Sequence, residues 1–353
     1  MRVLLFTGKG GVGKTTTAAA TALHLARSGK RVVVTSADSA HSLGDALGMD
    51  LDSVPRQVEA NCWAQQLDGR ERLEENWAEI RDWMIELFDW AGVEEIAAEE
   101  LAVLPGLDEM FALTEIDTLA ATGEYDVIIV DCAPTAETIR LLSLPEILGW
   151  YMDRLFPTSR RLNKVVGPIV SKLSSIPVAD DAVFMAGKRL YDRLDSVREI
   201  LCDPTVTSVR MVINPESMVI AEARRTHTYL SLFGYQVDAV VINRVLPAGD
   251  QSSWLDEWRE SQERNLEEIS TSFGGIPQFC ATHGGAEILG PDRLAEFASD
   301  LWESEDPSER LSQVKPMSVA RDGEDFVLSI ALPFATGSEV DLSRRGDDVF
   351  LAL

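Results

Sequence analysis

The chain has 353 residues, 45% of them hydrophobic, which is enough for one large domain with a substantial core and a small one beside it. Lys+Arg 32 against Asp+Glu 58 leaves a net charge of −26, so most of the surface repels a phosphate backbone and nucleic acid is not an expected partner. No apolar run approaches the ~18 residues of a membrane span. The N-terminus enters a strand pattern with no secretory signal, so the protein is expected in the cytoplasm, or in a plastid stroma if it comes from a photosynthetic eukaryote.

Val3 to Phe6 reads as a buried strand, followed by a glycine-rich loop and an alanine-rich helix over Thr16 to Ala26. Arg31 to Ser36 is a second buried strand, close enough to close a right-handed βαβ unit. Tyr125 to Asp131, Ser208 to Asn214 and Val237 to Asn243 are three more apolar runs, each ending in a carboxylate or amide. Five strands thus aim polar groups at the carboxyl edge of a parallel sheet, where open α/β sheets bind ligands. The expected fold is α/β: a mostly parallel, doubly wound P-loop sheet flanked by helices, with helical insertions and a small C-terminal β module.

The insertions are expected at about 68–120 and 145–205, within a main domain of residues 1–302. Trp77, Ile80, Met84, Leu87, Phe88 and Ala91 share one helix face, and Ile147 to Phe156 forms a second apolar surface. Each serves equally well as core or as an adaptable binding face. A helix over Leu294 to Trp302 is followed by a charged, proline-bearing linker at 303–316. Phe326 to Leu332 and Val349 to Leu353 then alternate as strands of a small module, 317–353.

The loop itself, Gly8-Lys9-Gly10-Gly11-Val12-Gly13-Lys14-Thr15 and then Thr16, carries the chemistry. Its glycines let backbone N–H groups close around phosphates, and the helix start adds positive charge. Lys14 is placed to reach the outer phosphates, and the Thr15 hydroxyl to meet Mg²⁺. The four cysteines, Cys62, Cys132, Cys202 and Cys280, are scattered and form no CxxC pair, so neither zinc nor an iron–sulfur cluster is expected.

With Lys9 directly after the first glycine, with Asp38-Ser39-Ala40-His41-Ser42 and Asp131-Cys132-Ala133-Pro134-Thr135 in order behind it, the chain resembles the ATPases that drive bacterial arsenite pumps and deliver tail-anchored membrane proteins. The resemblance covers roughly residues 1 to 300. It implies ATP/ADP and Mg²⁺ as cofactors and a homodimer in which Lys9 crosses to the partner's nucleotide, where a cation stabilises charge on the transferred phosphoryl group. It further implies that Asp38 orients the attacking water and that Asp131 supports Mg²⁺ with Thr15 and Asp38. Asn243 and Glu216 are implied as nucleotide contacts, with Pro277 and Phe279 covering the base; a strand-end cap for Asn243 and a helix-start charge for Glu216 are the structural alternatives. Ser39 stands where the family usually has proline, and Glu137 where it has histidine. His41 reads as a packed switch residue and Cys132 as inert. The zinc clamp of eukaryotic targeting members and the duplicated, cysteine-clustered arrangement of pump members are both missing, while the tail is similar to the α-crystallin-like module of some relatives. The leading expectation is an ATPase switch that controls an apolar surface for a hydrophobic or tail-anchored client. The soluble motor of an arsenite or anion pump is one alternative. A partition or cell-division switch is another, and it is disfavoured because the chain has neither a basic patch nor a basic amphipathic tail.

Overall fold

The computed structural model describes residues 1–36, 42–67, 81–82, 85–86, 107–132, 181–247, 253–323, 325–334, 340–345 and 348–352. Trp77, Ile80, Met84, Leu87, Phe88 and Ala91 of the first apolar stripe, the second stripe at 147–156, and the segments holding Asp38, His41 and Glu137 lie outside the described residues.

Strands β1 (Arg2–Thr7), β2 (Val32–Ser36), β3 (Arg56–Glu59), β4 (Cys62–Gln66), β5 (Val127–Asp131), β6 (Thr207–Ile213), β7 (Val237–Val245) and β8 (Gln278–Thr282) form one sheet in the order β3-β4-β2-β5-β1-β6-β7-β8. Only β3 runs antiparallel, against β4. The five apolar runs found in the sequence occupy the middle, where burial on both faces demands continuous Val, Ile and Leu. The three strands not anticipated lie towards the flanks, and polar residues in Arg56–Glu59, Cys62–Gln66 and Gln278–Thr282 hide them from a hydrophobicity pattern. Helix α1 (Lys14–Arg27) is buried along Ala18, Ala19, Ala22 and Leu23. Short α2 (Ser42–Leu47) follows β2.

The ends of both insertions belong to the core. Helices α3 (Leu107–Thr122) and α4 (Asp181–Cys202) pack on each other, with Ile116, Leu119, Leu194 and Leu201 buried and the Ser196 hydroxyl donating to Asp117 at 2.7 Å. Helices α5 (Ser217–Leu232), α6 (Ser253–Ser272) and α7 (Pro291–Trp302) complete the layers. Pro291 pre-sets the first turn of α7, and its last residue, Trp302, is fully buried with its indole N–H on the Thr21 hydroxyl at 3.1 Å.

Residues 303–316, expected as a linker, lie strapped across the amino edge of the sheet. Arg2 donates to the Ser308 carbonyl at 3.0 Å, Lys30 pairs with Asp306 at 3.1 Å, and Gln236 donates to the carbonyls of Ser312 and Val314 at 2.7 and 2.9 Å. Arg210 of β6, wholly buried, holds the Pro307 carbonyl and lies 3.5 Å from Asp238, whose carboxylate also accepts the Leu311 N–H at 3.1 Å. Glu303, Glu305, Glu309 and Lys315 of the strap are exposed while its backbone is bound, so composition alone mimics a linker.

Beyond it, β9 (Met317–Asp322) pairs with β10 (Asp325–Ile330), and β11 (Asp341–Arg345) with β12 (Asp348–Ala352), as two antiparallel hairpins. The turn after β10 docks on α5: the Thr228 hydroxyl donates to the Pro333 carbonyl, and the Phe334 ring meets Phe273 and His227 edge-on at 5.4 and 5.9 Å. Burial pushes the His227 pKa down to about 4. The unfolded chain, with an ordinary imidazole, therefore binds a proton that the folded state refuses, and stability is full above the unfolded pKa and falls as pH drops towards the folded one. Acidifying from about pH 7 to about pH 5.5 is expected to cost about 1 kcal/mol through this residue. Urea unfolding of wild type and His227→Gln at both pH values checks this; an unchanged pH dependence in the variant would refute it.

Candidate active site

The carboxyl edge of the sheet gathers the sequence-anticipated loop. Gly8 passes so close to β6 that an added Cβ would stand 2.1 Å from the Val212 carbonyl oxygen. Gly13 adopts φ 98° and would meet the Asn243 amide nitrogen at 2.2 Å, so both positions exclude any side chain. Between them Lys9, Gly10, Gly11 and Val12 form the turn, and α1 starts at Lys14 with no side-chain cap, leaving its first N–H groups for an anion. Lys14 is 6% exposed, its ammonium 3.4 Å from the Lys9 carbonyl, curled over the cradle it lines.

Thr15 sits at a junction. Its hydroxyl donates to Asp131 at 2.7 Å and lies 3.1 Å from the Ser42 hydroxyl, while Ser36 reaches the same Asp131 oxygen at 3.5 Å. Hydroxyls and a carboxylate thus meet where β2 and β5 end and α1 begins, and these are oxygen donors of the kind a hard divalent cation takes. Asp38 follows β2 and lies outside the described residues.

A cleft of 1160 Å³ opens beside the loop, and Gly13, Thr16, Asn243, Arg244, His283 and Gly285 are among its walls. Asn243 donates to the Val12 carbonyl at 2.8 Å and accepts the Arg244 N–H at 2.9 Å, tying β7 to the phosphate loop. One amide hydrogen and one lone pair remain for a base edge. Glu216 is exposed at the N-cap of α5 and is not among the cleft residues. Pro277 precedes β8, and Phe279 packs its ring on Trp302 at 4.8 Å, so neither faces the cleft. Gln278 pairs with Val240, three residues and roughly 10 Å short of Asn243 along the strands, which explains the displacement. The wall facing Asn243 comes instead from Thr282 to Leu289, just past the carboxyl end of β8. The strand-end rule that picked out Asn243 would have found it, had the polar β8 been recognised.

Lys9 lies at the loop's outer side, its ammonium 3.8 Å from Glu222 of α5, with both side chains about one-third exposed. The cysteines stay dispersed: Cys62 on β4 and Cys280 on β8 are separated by five strands, and burial pushes the thiols of Cys62 and Cys132 up to about 12. Among the described residues no three His, Cys, Asp or Glu side chains form a metal-holding group. No described helix is long and apolar enough to cross a membrane.

The sequence profile of the anion-transporting ATPases matches residues 1–303, spanning the loop, Thr15, Asp131 and Asn243. The chain belongs to this family. Like its relatives, this family member is an ATPase built on an α/β sheet. A protein of Aquifex aeolicus that carries a provisional name as an arsenical pump-driving ATPase is 36% identical over 359 residues, 99% of this chain and 91% of that one. One of Prosthecochloris vibrioformis, similarly named, is 36% identical over all of this chain and 88% of its own length. A Halobacterium salinarum relative, 33% identical, matches 85% of this chain but only 44% of itself.

Proposed function

We propose that this chain is a Mg²⁺-dependent ATPase that acts as a homodimer, its nucleotide state opening and closing an apolar surface for a hydrophobic protein segment. The observation that carries the reading is the Thr15 junction, where one hydroxyl touches both Asp131, which opens the Asp131-Cys132-Ala133-Pro134-Thr135 motif, and Ser42, which closes the Asp38-Ser39-Ala40-His41-Ser42 motif, the two segments that we read as switches. A Mg²⁺ ion held by Thr15, and reached by Asp131 directly or through water, would neutralise the phosphates. Thr15, Asp131 and Ser42 thereby join the loop to the two segments that must move when the γ-phosphate leaves.

Dimerisation through this face is supported by what stands on it. Lys9 is beside the amino end of α5, where Met218 is 76% exposed, and Trp258, 64% exposed, stands on the first turns of neighbouring α6. Exposed Met and Trp around a cation are what a second copy of the same face would cover. Lys9 would then leave Glu222 for the partner's phosphates.

The pump-motor alternative draws on the names its relatives carry, whereas the cysteines of this chain are dispersed and burial holds the thiols of Cys62 and Cys132 protonated. The test is ATP turnover with Mg²⁺ alone, with an apolar helical peptide, and with arsenite or antimonite. Stimulation by the peptide and indifference to the metalloids is the expected result; the reverse pattern would replace this reading with the pump motor.

A further inference from the structure

We propose that Arg244 is a nucleotide-binding residue that closes over the nucleoside half of the ligand, stacking its guanidinium on the base. The inference rests on the reading that nucleotide occupies the cleft beside the phosphate loop. Three observations carry it.

Strand β7 contains an extra residue here: Ile242 aligns with Cys280 and Val245 with Thr282, three steps against two. A bulge at a strand's carboxyl end re-aims side chains towards a site. Within the bulge Arg244 adopts φ 60°, a left-handed conformation that costs a non-glycine residue energy and that persists at ligand clamps. The surroundings hold it there: its N–H is bound by Asn243, its carbonyl accepts from Gln262 of α6 at 3.4 Å, and Gln262 also takes the Leu246 N–H at 2.9 Å. A glutamine spanning both sides of the bulge locks a shape that the sequence would otherwise avoid.

The Arg244 side chain is exposed on the cleft wall, and no ion pair engages it among the described residues. The same cleft is lined by Thr282 to Leu289. His283 donates its N–H to the Val245 carbonyl at 2.7 Å, and its ring accepts from Gly285 at 3.0 Å, fixing a His-Gly-Gly turn over the same bulge. A Cβ at Gly284 or Gly285 would meet nothing within 4 Å, so this wall keeps open space beside the bulge. A planar cation and a glycine turn thus line one cleft with room for an aromatic ring, and a guanidinium is a side chain that stacks on one.

The experiment compares Arg244→Gly, Arg244→Lys and wild type for binding of ADP, ATP and Mg²⁺-tripolyphosphate, the last a probe without a base, together with thermal stability. Arg244→Gly is expected to weaken ADP and ATP about 5- to 20-fold, as loss of a partly desolvated stacked cation does, while leaving tripolyphosphate binding within about twofold. KM rises and kcat holds. Because glycine accepts φ 60° freely, the same variant is expected to melt higher than wild type, which a merely structural arginine would not permit. Arg244→Lys falls between. Unchanged ADP affinity in Arg244→Gly overturns the proposal, as does equal weakening of tripolyphosphate, which would make Arg244 a phosphate contact. Lys14→Ala keeps the underlying reading separate: if that variant alone loses nucleotide, the cleft is the site and only the Arg244 assignment fails.

Discussion

Lys9→Ala is expected to lower kcat about a thousandfold while KM for ATP changes little, because a cation delivered to the transferring phosphoryl group acts on the transition state rather than on binding. In one chain the Lys9 ammonium lies against Glu222 on the loop's outer side, while Lys14 curls over the cradle. The two lysines therefore divide the work, and the division can be tested by mixing. Lys14→Ala should abolish turnover by crippling the phosphate cradle of its own chain. An equimolar mixture of Lys9→Ala and Lys14→Ala is then expected to recover about a quarter of wild-type activity, since half of randomly paired dimers are mixed and each mixed dimer holds one complete site. No recovery, with subunit exchange verified, would mean that Lys9 serves its own chain.

The second large effect is on stability. Arg210→Ala is expected to cost about 3–5 kcal/mol, because it strands the wholly buried Asp238 carboxylate without its cation. It also removes the donor to the Pro307 carbonyl and a cation lying 4.9 Å over the Trp302 ring. Thermal melting should fall by roughly 6–20 °C, taking about 2–4 °C per kcal/mol as the scale for a large domain. The double variant Arg210→Met with Asp238→Asn is expected to regain more than half of the loss, since an apolar side chain beside a neutral amide leaves no orphaned charge and the amide oxygen can still accept the Leu311 N–H. A single variant that melts within a degree or so of wild type would show that water reaches Asp238 readily.

How much of this was legible in the chain depends on the range of the interaction. Gly8 to Thr15 reads directly because strand, loop and helix are contiguous, and the tight turn demands glycines at those positions. The five central strands read because burial on both faces forces unbroken apolar runs. Strands β3, β4 and β8 did not, since flank strands tolerate Arg56, Gln57, Gln65 and Gln278. Missing β8 then misdirected the site: Phe279 looked like a base-covering loop residue, while as a strand residue it belongs to the core beside Trp302. The contact of Asn243 with Val12 spans 231 positions, and no local pattern encodes it. The strap at 303–316 was hidden for a different reason. Its side chains are those of a solvated linker, and its attachment is made by carbonyls, which every residue has.

Helix α5 has two dissimilar ends. Near one stand Glu216 and, a turn further in, the carboxylate that greets Lys9; Arg224 at the middle lies beneath the Phe334 ring at 5.6 Å, and towards the other end Thr228 grips Pro333. Glu222 and Thr228 are six residues apart, about 9 Å of helix, so a pivot of about 5° at the Lys9 contact would shift the Pro333 contact by about 1 Å. The turn after β10 is held there, so any tilt of α5 would be passed to the β9–β10 hairpin and its solvent-facing Phe326, Val319 and Leu328.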